Sequence, residues 1–478
     1  MMKPIPFSLR WWHIVIVAIV LLLAALVSTG FIWRAMGHAH YVRVVQQLKD
    51  QGLPASIDDY IALAPPVNSV LQDQWDAWQK SIMNSNTPAE PELNSVLKKH
   101  QKEWDLWVTG NGPRPSDIEA AVELSTSRYA PAVPLLRQGG LVLGGFGWIA
   151  QDLPPEKRRE PFTSAIRQPN LSTIREVAGW LHHSTMLAKD PLPHLADLDA
   201  FHTAMKRPAT LIDASIAIML ASIRDRTYVE LMVQGRLPDD FRQRWLSESC
   251  DAMHMIGDAA IGESILNGGM SYKGLLDEMP LLGITDSSPQ YYRSFEHYSF
   301  VLHVWLTGYN DCALSVEFQN HIAQRLQNQT TTSWPDIDAM MSHLGPLGKM
   351  FCPNMQEAAI MALQSDADHR MARLAVHVIE LHRMDMMPST QEALVTVLGN
   401  DHALAPAGDH LHLRYEVPAP NRFRFVIDPA SPLPNFDDPG RMSMRTQTAG
   451  TPAAKEPFVW SARSGSIEIL LAPTSGAP

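Results

Sequence analysis

The order of apolar and polar positions divides the chain into three regimes. Trp11 to Trp33 contains no Asp, Glu, Lys or Arg, and Ile14 to Val27 is almost wholly aliphatic. At 1.5 Å per residue this run is about 34 Å long, enough for the hydrocarbon core of a bilayer, and it predicts one transmembrane helix. Trp11, Trp12 and Trp33 stand at its two ends, where an aromatic belt is expected. From 40 to 400 apolar residues recur at three- and four-residue spacing. The pattern predicts short helices broken by Pro and Gly up to 165 and longer ones from 170. After 405 the period drops to two. His410–Val417 and Arg422–Ile427 alternate around a turn at Pro418–Asn421, and Phe458–Trp460 with Ile467–Leu471 predicts a second hairpin.

Within the helical stretch, Leu71, Trp75, Trp78 and Ile82 share one face, and Trp104 with Trp107 repeats the three-residue spacing. Both pairs read as core packing. Ser56 with Asp59, Ser116 with Glu119, Thr173 with Glu176 and Ser389 with Glu392 predict helix starts. Leu211 to Met232 predicts one long helix and Asn354 to His382 another. An aromatic helix from Tyr291 to Trp305 is expected to end at Gly308, with Asp311 capping the next. The glycine-rich run Gly139–Trp148 lacks the Lys and Ser/Thr of a phosphate loop and reads as a turn or a close backbone approach.

The fold class expected is mainly α: an N-terminal transmembrane helix, a helical extracytoplasmic bundle and a small β-hairpin-containing C-terminal module. The boundaries are a short cytoplasmic tail over 1–10, a signal-anchor over 11–33, a helical region and linker over 34–165, a helical core over 166–404, and a β-rich module with its tail over 405–478. Lys3 and Arg10 before the apolar run are matched by Arg34, Arg43 and Lys49 after it, so positive charge alone does not orient it. An N-in orientation follows from the short leading segment, which resembles a signal-anchor n-region. A cleaved signal peptide is the rival. No A-x-A pattern is present and the run exceeds a usual h-region, which favours the uncleaved anchor.

Composition narrows the function classes. Of 478 residues, 45% are hydrophobic and 19% charged, which excludes a disordered chain and a polytopic one. The net charge of -11 leaves no global footprint for nucleic acid. Three cysteines, Cys250, Cys312 and Cys352, without a CxxC pair exclude a disulfide scaffold and a zinc ribbon. Cys250 and Cys312 read as buried small apolar residues. Cys352, before Pro353, is expected to be exposed.

Several segments carry a resemblance. LKDQGLP at Leu48–Pro54, LDAFHTAMKRPATLIDASIAIMLASI at Leu198–Ile223 and AAIGESILNG at Ala259–Gly268 resemble a group of single-pass, membrane-anchored helical bacterial envelope proteins. RLAVHVIELHRMDMMPSTQEALVTVL at Arg373–Leu398, followed by FVIDPASPLPNFDD at Phe425–Asp438, resembles the C-terminal portion of pseudopilins of the general secretion pathway. There a long helix leads through a Tyr-Pro turn and a short helix into strands. Here Met387-Pro388 stands at the Tyr-Pro position, the pseudopilin leader is missing, and the calcium loop is degraded. The resemblance implies a fold and brings no activity with it.

Chemistry candidates are few. Asp428, Asp437 and Asp438 lie where the pseudopilin loop holds calcium, so the resemblance implies a calcium site stripped to three carboxylates among stiffening prolines. His410 with His412 and His369 with His377 each share a face, yet no HExxH accompanies them. His182 and His183 are expected to point in different directions. Ser95 and Lys98 satisfy S-x-x-K without the K-T-G such a site needs, and GxSxG is absent. No cofactor is expected. The partners expected are the lipid bilayer, through 11–33, and an envelope protein, with the bulk of the chain outside the inner membrane. The function class is a non-catalytic scaffold, assembly or interaction factor. The alternatives are an extracytoplasmic hydrolase with dispersed catalytic residues and a secretion-system accessory subunit.

Overall fold

The computed structural model describes residues 7–62, 68–84, 93–143, 171–205, 208, 210–248, 252–266, 276, 295–327, 341–345, 348–349, 352, 355–398, 413–427, 458–461 and 466–471. It is a helical protein with one long apolar helix at the N-terminus and a small antiparallel sheet at the C-terminus. The helices are α1 (Phe7–Asp50), α2 (Ile57–Ala62), α3 (Ser69–Asn84), α4 (Leu93–Val108), α5 (Ser116–Tyr129), α6 (Val133–Arg137), α7 (Leu171–Leu187), α8 (Leu192–Ala204), α9 (Leu211–Val233), α10 (Asp239–Ser247), α11 (Ala252–Leu266), α12 (Phe295–Gln327), α13 (Met355–Arg383) and α14 (Gln391–Leu398).

Helix α1 is long and apolar enough to cross a membrane, and none of its most apolar stretch is buried among the described residues. It does not stop at Trp33, as the apolar run alone implies. It continues to Asp50, and its second half packs along α12. Gly30 and Gly37, two turns apart on the same face, permit this. A Cβ on Gly37 would stand 3.1 Å from the backbone nitrogen of Asn310, and one on Gly30 would stand 3.1 Å from Leu306. Small residues let the two backbones approach. Between them Arg34 lies against the rings of Trp305 and Tyr309, at 4.9 and 4.7 Å from their centroids. Its guanidinium donates to the carbonyls of Trp305 and Leu276. Farther along, the His40 ring meets Asn310 at 3.0 Å and Glu317 at 3.2 Å.

Helix α12 corrects a second expectation. Gly308 does not end a helix and Asp311 does not begin one, because α12 runs unbroken through both. A Cβ on Gly308 would lie 2.6 Å from Leu276, so this glycine serves close approach. Two caps also differ. Helix α7 starts at Leu171, which places Thr173 inside the first turn, and Pro115 rather than Ser116 precedes α5. The Ser56–Asp59 start is present, with the Asp59 amide donating to Ser56 Oγ at 3.0 Å. Thr390, one residue after Ser389, caps α14. The most complete capping box opens α9, where Thr210 and Asp213 bond each other's backbone amides at 3.2 Å.

Helix α9 is the centre of the body, packed by α4, α7, α8, α11 and α13. The Trp pairs are core, as their spacing predicts: Trp75 and Trp104 are buried, each with its i+3 partner ring about 5 Å away. Gly139 and Gly140, both at positive φ, turn the chain after α6. The strands β1 (Leu413–Ala419), β2 (Arg422–Ile427), β3 (Phe458–Ser461) and β4 (Ser466–Leu470) form an antiparallel sheet in the order β1-β2-β4-β3. Tyr415 pairs with Phe425, Arg424 with Glu468, and Trp460 with Ile467. The two predicted hairpins are thus joined through β2 and β4. Phe423, Phe425, Ile467 and Ile469 are buried on the face toward α13, an alternation that two-residue periodicity requires.

Substituting Gly37→Leu forces α1 off α12. Overpacking of this kind costs about 1–3 kcal/mol. The expected result is a lowered melting temperature with new protease cleavage between residues 37 and 50, and Ser or Ala at this position should do far less.

Candidate functional site

The chemistry-bearing side chains converge on the C-terminal half of α9, where Arg224-Asp-Arg-Thr-Tyr-Val-Glu230 spans two turns inside the core. Helical spacing sends these residues in three directions. On one side Arg224 forms an ion pair with Glu248 at 2.8 Å and donates to His202 Nδ1 at 3.1 Å. Since arginine only donates, His202 offers a lone pair there. Burial works against the Arg224 charge, and Asp225, Glu248 and Asp199 together overcome it and hold it up. One turn on, the Tyr228 hydroxyl donates to Asp199 at 3.0 Å, and Arg244 bonds the same carboxylate at 2.7 Å. Burial pushes the Asp199 carboxyl up, opposed by Arg224, Tyr228 and Arg244.

The second direction holds an Asp–His pair. Asp225, 2% exposed, accepts from Trp245 Nε1 at 2.8 Å on one oxygen and from His369 Nδ1 at 2.8 Å on the other. Burial alone would raise its carboxyl, but His369, Arg224 and Trp245 draw it below the usual range. A carboxylate on Nδ1 orients an imidazole and leaves Nε2 basic, the arrangement of an acid–base dyad. His369 Nε2 has no hydrogen-bond partner among the described residues, but its side chain is only 6% exposed. The ring of Trp245 stands edge-on to it at 6.0 Å. The neighbouring Asp368 is also buried, and burial, followed by Asp225, raises its carboxyl well above the usual range.

The third direction holds a histidine pair. His182 Nδ1 donates to Thr227 Oγ1 at 2.8 Å, because that hydroxyl already donates to the Ile223 carbonyl at 2.7 Å. Glu230, with no exposed surface, accepts from Arg226 at 2.6 Å and from Trp104 Nε1 at 3.2 Å. The His182 and His183 rings do not diverge. They meet edge-on at 4.4 Å, since His183 turns back to donate to the Gly179 carbonyl at 2.7 Å. Burial holds both imidazoles well below the usual histidine range, helped at His182 by Arg226 and at His183 by His182. Both are uncharged.

The other sequence candidates lie apart. His377 meets Glu380 at 3.7 Å. Ser95 and Lys98 are exposed on α4. Cys352 is fully buried rather than exposed, at 3.2 Å from Ser315 Oγ, and burial pushes its thiol up to about 12. Cys312 is buried too, as expected. Asp428, Asp437, Asp438, His410, His412 and Cys250 lie outside the described residues. Among the described residues no group of three or more His, Cys, Asp or Glu is placed to hold a metal ion. A cleft of about 140 Å³ lies elsewhere, between α1 and α12, bounded by Val44, Leu48, Gln51, Glu317 and His321. Comparison with protein-family models, curated proteins and solved structures gave no match.

Sequence reasoning found His369 and His182 but missed Asp225, Arg224 and Glu230. The available signal was a run of five ionisable residues in a helix whose flanks are apolar on every face.

Asp225→Ala would leave the buried His369 without its carboxylate and Arg224 with Glu248 alone. Breaking a buried pair from one side costs about 3–5 kcal/mol, so urea denaturation should show a large loss, whereas the exposed Asp240→Ala should stay within about 0.5 kcal/mol. The histidines give a pH prediction. Their folded pKa values are depressed, whereas the unfolded chain regains about 6.5. Below that pH the unfolded state binds protons the folded state refuses, so their contribution is complete above about pH 6.5 and is lost as pH falls. A His182→Gln/His183→Gln variant should show a flatter dependence of the denaturation midpoint between about pH 5 and pH 7 than the unaltered chain.

Proposed function

We propose that the chain is a single-pass protein of the bacterial inner membrane, with its N-terminus cytoplasmic, that holds a rigid helical body outside the cytoplasm as a scaffold, assembly or interaction factor. The observation that carries this reading is the continuity of α1. The exposed apolar stretch and the segment docked on α12 are one helix, without a hinge between them. A tether that served only to retain an enzyme at a surface needs no such stiffness, whereas a scaffold must keep its body at a fixed height and angle. The core chemistry agrees. The ionisable groups of α9 are met by partners inside the body, and Trp245 both donates to Asp225 and stands edge-on to His369.

A hydrolase reading has one observation in its favour, the unpartnered Nε2 of His369 on a carboxylate-oriented ring. A secretion-subunit reading is supported by the order of α13, Pro388, α14 and antiparallel strands, with the Tyr415 hydroxyl donating to the Pro388 carbonyl at 2.9 Å.

The test uses the full chain in cells. Alkaline extraction should leave it in the membrane, and a membrane-impermeant reagent should reach a cysteine placed at exposed Leu124 without lysis. Site-specific crosslinkers on the body should then give one discrete envelope partner, and the crosslink should persist in His369→Gln. Extraction by alkali would sink the anchor. A covalent hydrolase probe that labels the chain and loses labelling in His369→Gln would overturn the scaffold reading in favour of the enzyme.

A further inference from the structure

The cleft of about 140 Å³ between α1 and α12 lies apart from the polar network of α9. A water molecule takes up about 30 Å³ in the liquid, so this volume suits a ligand of about five heavy atoms. Its lining is of two kinds. Val44 and Leu48, both otherwise buried, present the apolar part. The carboxamides of Gln51, Asn320 and Gln324, with the carboxylate of Glu317, present the polar part. No lysine or arginine is among the lining residues.

The hydrogen bonds across the seam decide which polar atoms are left over. Gln51 Oε1 accepts from Asn320 Nδ2 at 3.4 Å and from Gln324 Nε2 at 3.0 Å. Both bonds turn an amide nitrogen toward Gln51, so Asn320 and Gln324 each keep a carbonyl oxygen for another partner. The Asn320 oxygen is buried and has no partner among the described residues. A buried acceptor is costly to leave without a donor. Glu317 is 41% exposed and meets His40 Nε2 through Oε1 alone, at 3.2 Å. Near pH 8 an ordinary histidine is uncharged, so Glu317 is then the one charge in the lining. It repels an anion. An ammonium group brings the opposite charge and three N–H donors to two carbonyl oxygens and a carboxylate. Val44 and Leu48 offer a short hydrocarbon stem a place out of water.

We propose that this cleft binds a small primary alkylammonium ion. Glu317 is its counter-charge, Asn320 Oδ1 and Gln324 Oε1 accept from its N–H groups, and its stem lies against Val44 and Leu48. Both helices contribute to the site, so bound ligand holds the end of α1 to α12 and stabilises the folded chain. The site depends on the α1–α12 seam alone and holds whether or not α1 spans a bilayer.

The test uses the full chain in detergent micelles at about pH 8 and constant ionic strength, where an alkylamine is still protonated. The probe is n-butylammonium chloride, followed by melting temperature and ligand-observed NMR. It should raise the melting temperature in a saturable way, whereas butyrate and the neutral isostere 1-butanol should not. In Glu317→Gln the dissociation constant should rise about ten-fold or more, because a charge-assisted bond is lost, with the circular dichroism spectrum unchanged. Asn320→Leu should weaken binding several-fold. No saturable shift with butylammonium overturns the site. Equal affinity in the unaltered chain and Glu317→Gln also overturns it, since the ion then binds elsewhere. A shift with 1-butanol as large as that with butylammonium overturns the ammonium assignment. Tighter binding of Nα-acetyl-lysine N-methylamide than of butylammonium overturns a small diffusible ligand in favour of a lysine side chain.

Discussion

Helix α9 is surrounded by α4, α7, α8, α11 and α13, so Arg224, Asp225, Thr227, Tyr228 and Glu230 in its second half are buried away from bulk water. A charge taken out of water is costly unless an opposite charge and hydrogen bonds replace its hydration. The body is organised around meeting that requirement. Arg224 draws in Glu248 and His202, Asp225 draws in His369 and Trp245, and Glu230 draws in Arg226 and Trp104. Apart from Arg226 on α9 itself, these partners lie on α4, α8, α13 and α10 with its C-terminal cap, so satisfying the charges of one helix fixes the register of four others. Apolar packing brings helices together with little preference for depth or rotation. Directional bonds from a single central helix supply that preference.

The same logic accounts for the Asp225–His369 pair inside the core. In Asp225–His369 the geometry of catalysis and the geometry of satisfied burial are identical, since both ask a carboxylate to take the proton on Nδ1. Enclosure distinguishes them. Trp245 closes one side and also donates to the carboxylate, and burial pushes the adjacent Asp368 carboxyl up. A core of this kind carries specificity of packing in its polar groups.

Helices α1 and α12 form a second seam, outside the α9 core. The docked half of α1 relies on two glycines for approach and on Arg34 for attachment, and the polar contacts at His40 and Gln51 continue the seam to its end. Because the helix does not break between its exposed and docked halves, any force on one is transmitted to the other as a rigid lever. Stiffness here comes from continuous backbone hydrogen bonding, which a loop of the same length would not provide.

Much of this was legible in the order of residues. The apolar run, the helical stripes of α9 and α13, the Trp pairs and the two hairpins each follow from local periodicity, which reports what a segment can bury. Element ends were less legible. Gly308 and Asp311 read as a stop and a start, yet α12 passes through both, because Leu276 fills the space a side chain at 308 would need. The continuation of the helix past Trp33 was hidden because its first docked turns pack through Gly30, Arg34, Gly37 and His40, and its apolar stripe of Tyr41, Val44 and Leu48 begins only beyond them. The sequence by itself determined the class of each segment and the single long apolar helix, since these depend on neighbours within a few turns. Only the tertiary structure decided that His182 and His183 touch, that Cys352 is buried, that β2 joins two hairpins, and that Asp225 meets His369 across 144 positions. These are long-range contacts, set by how enclosed charges and backbones find partners in three dimensions.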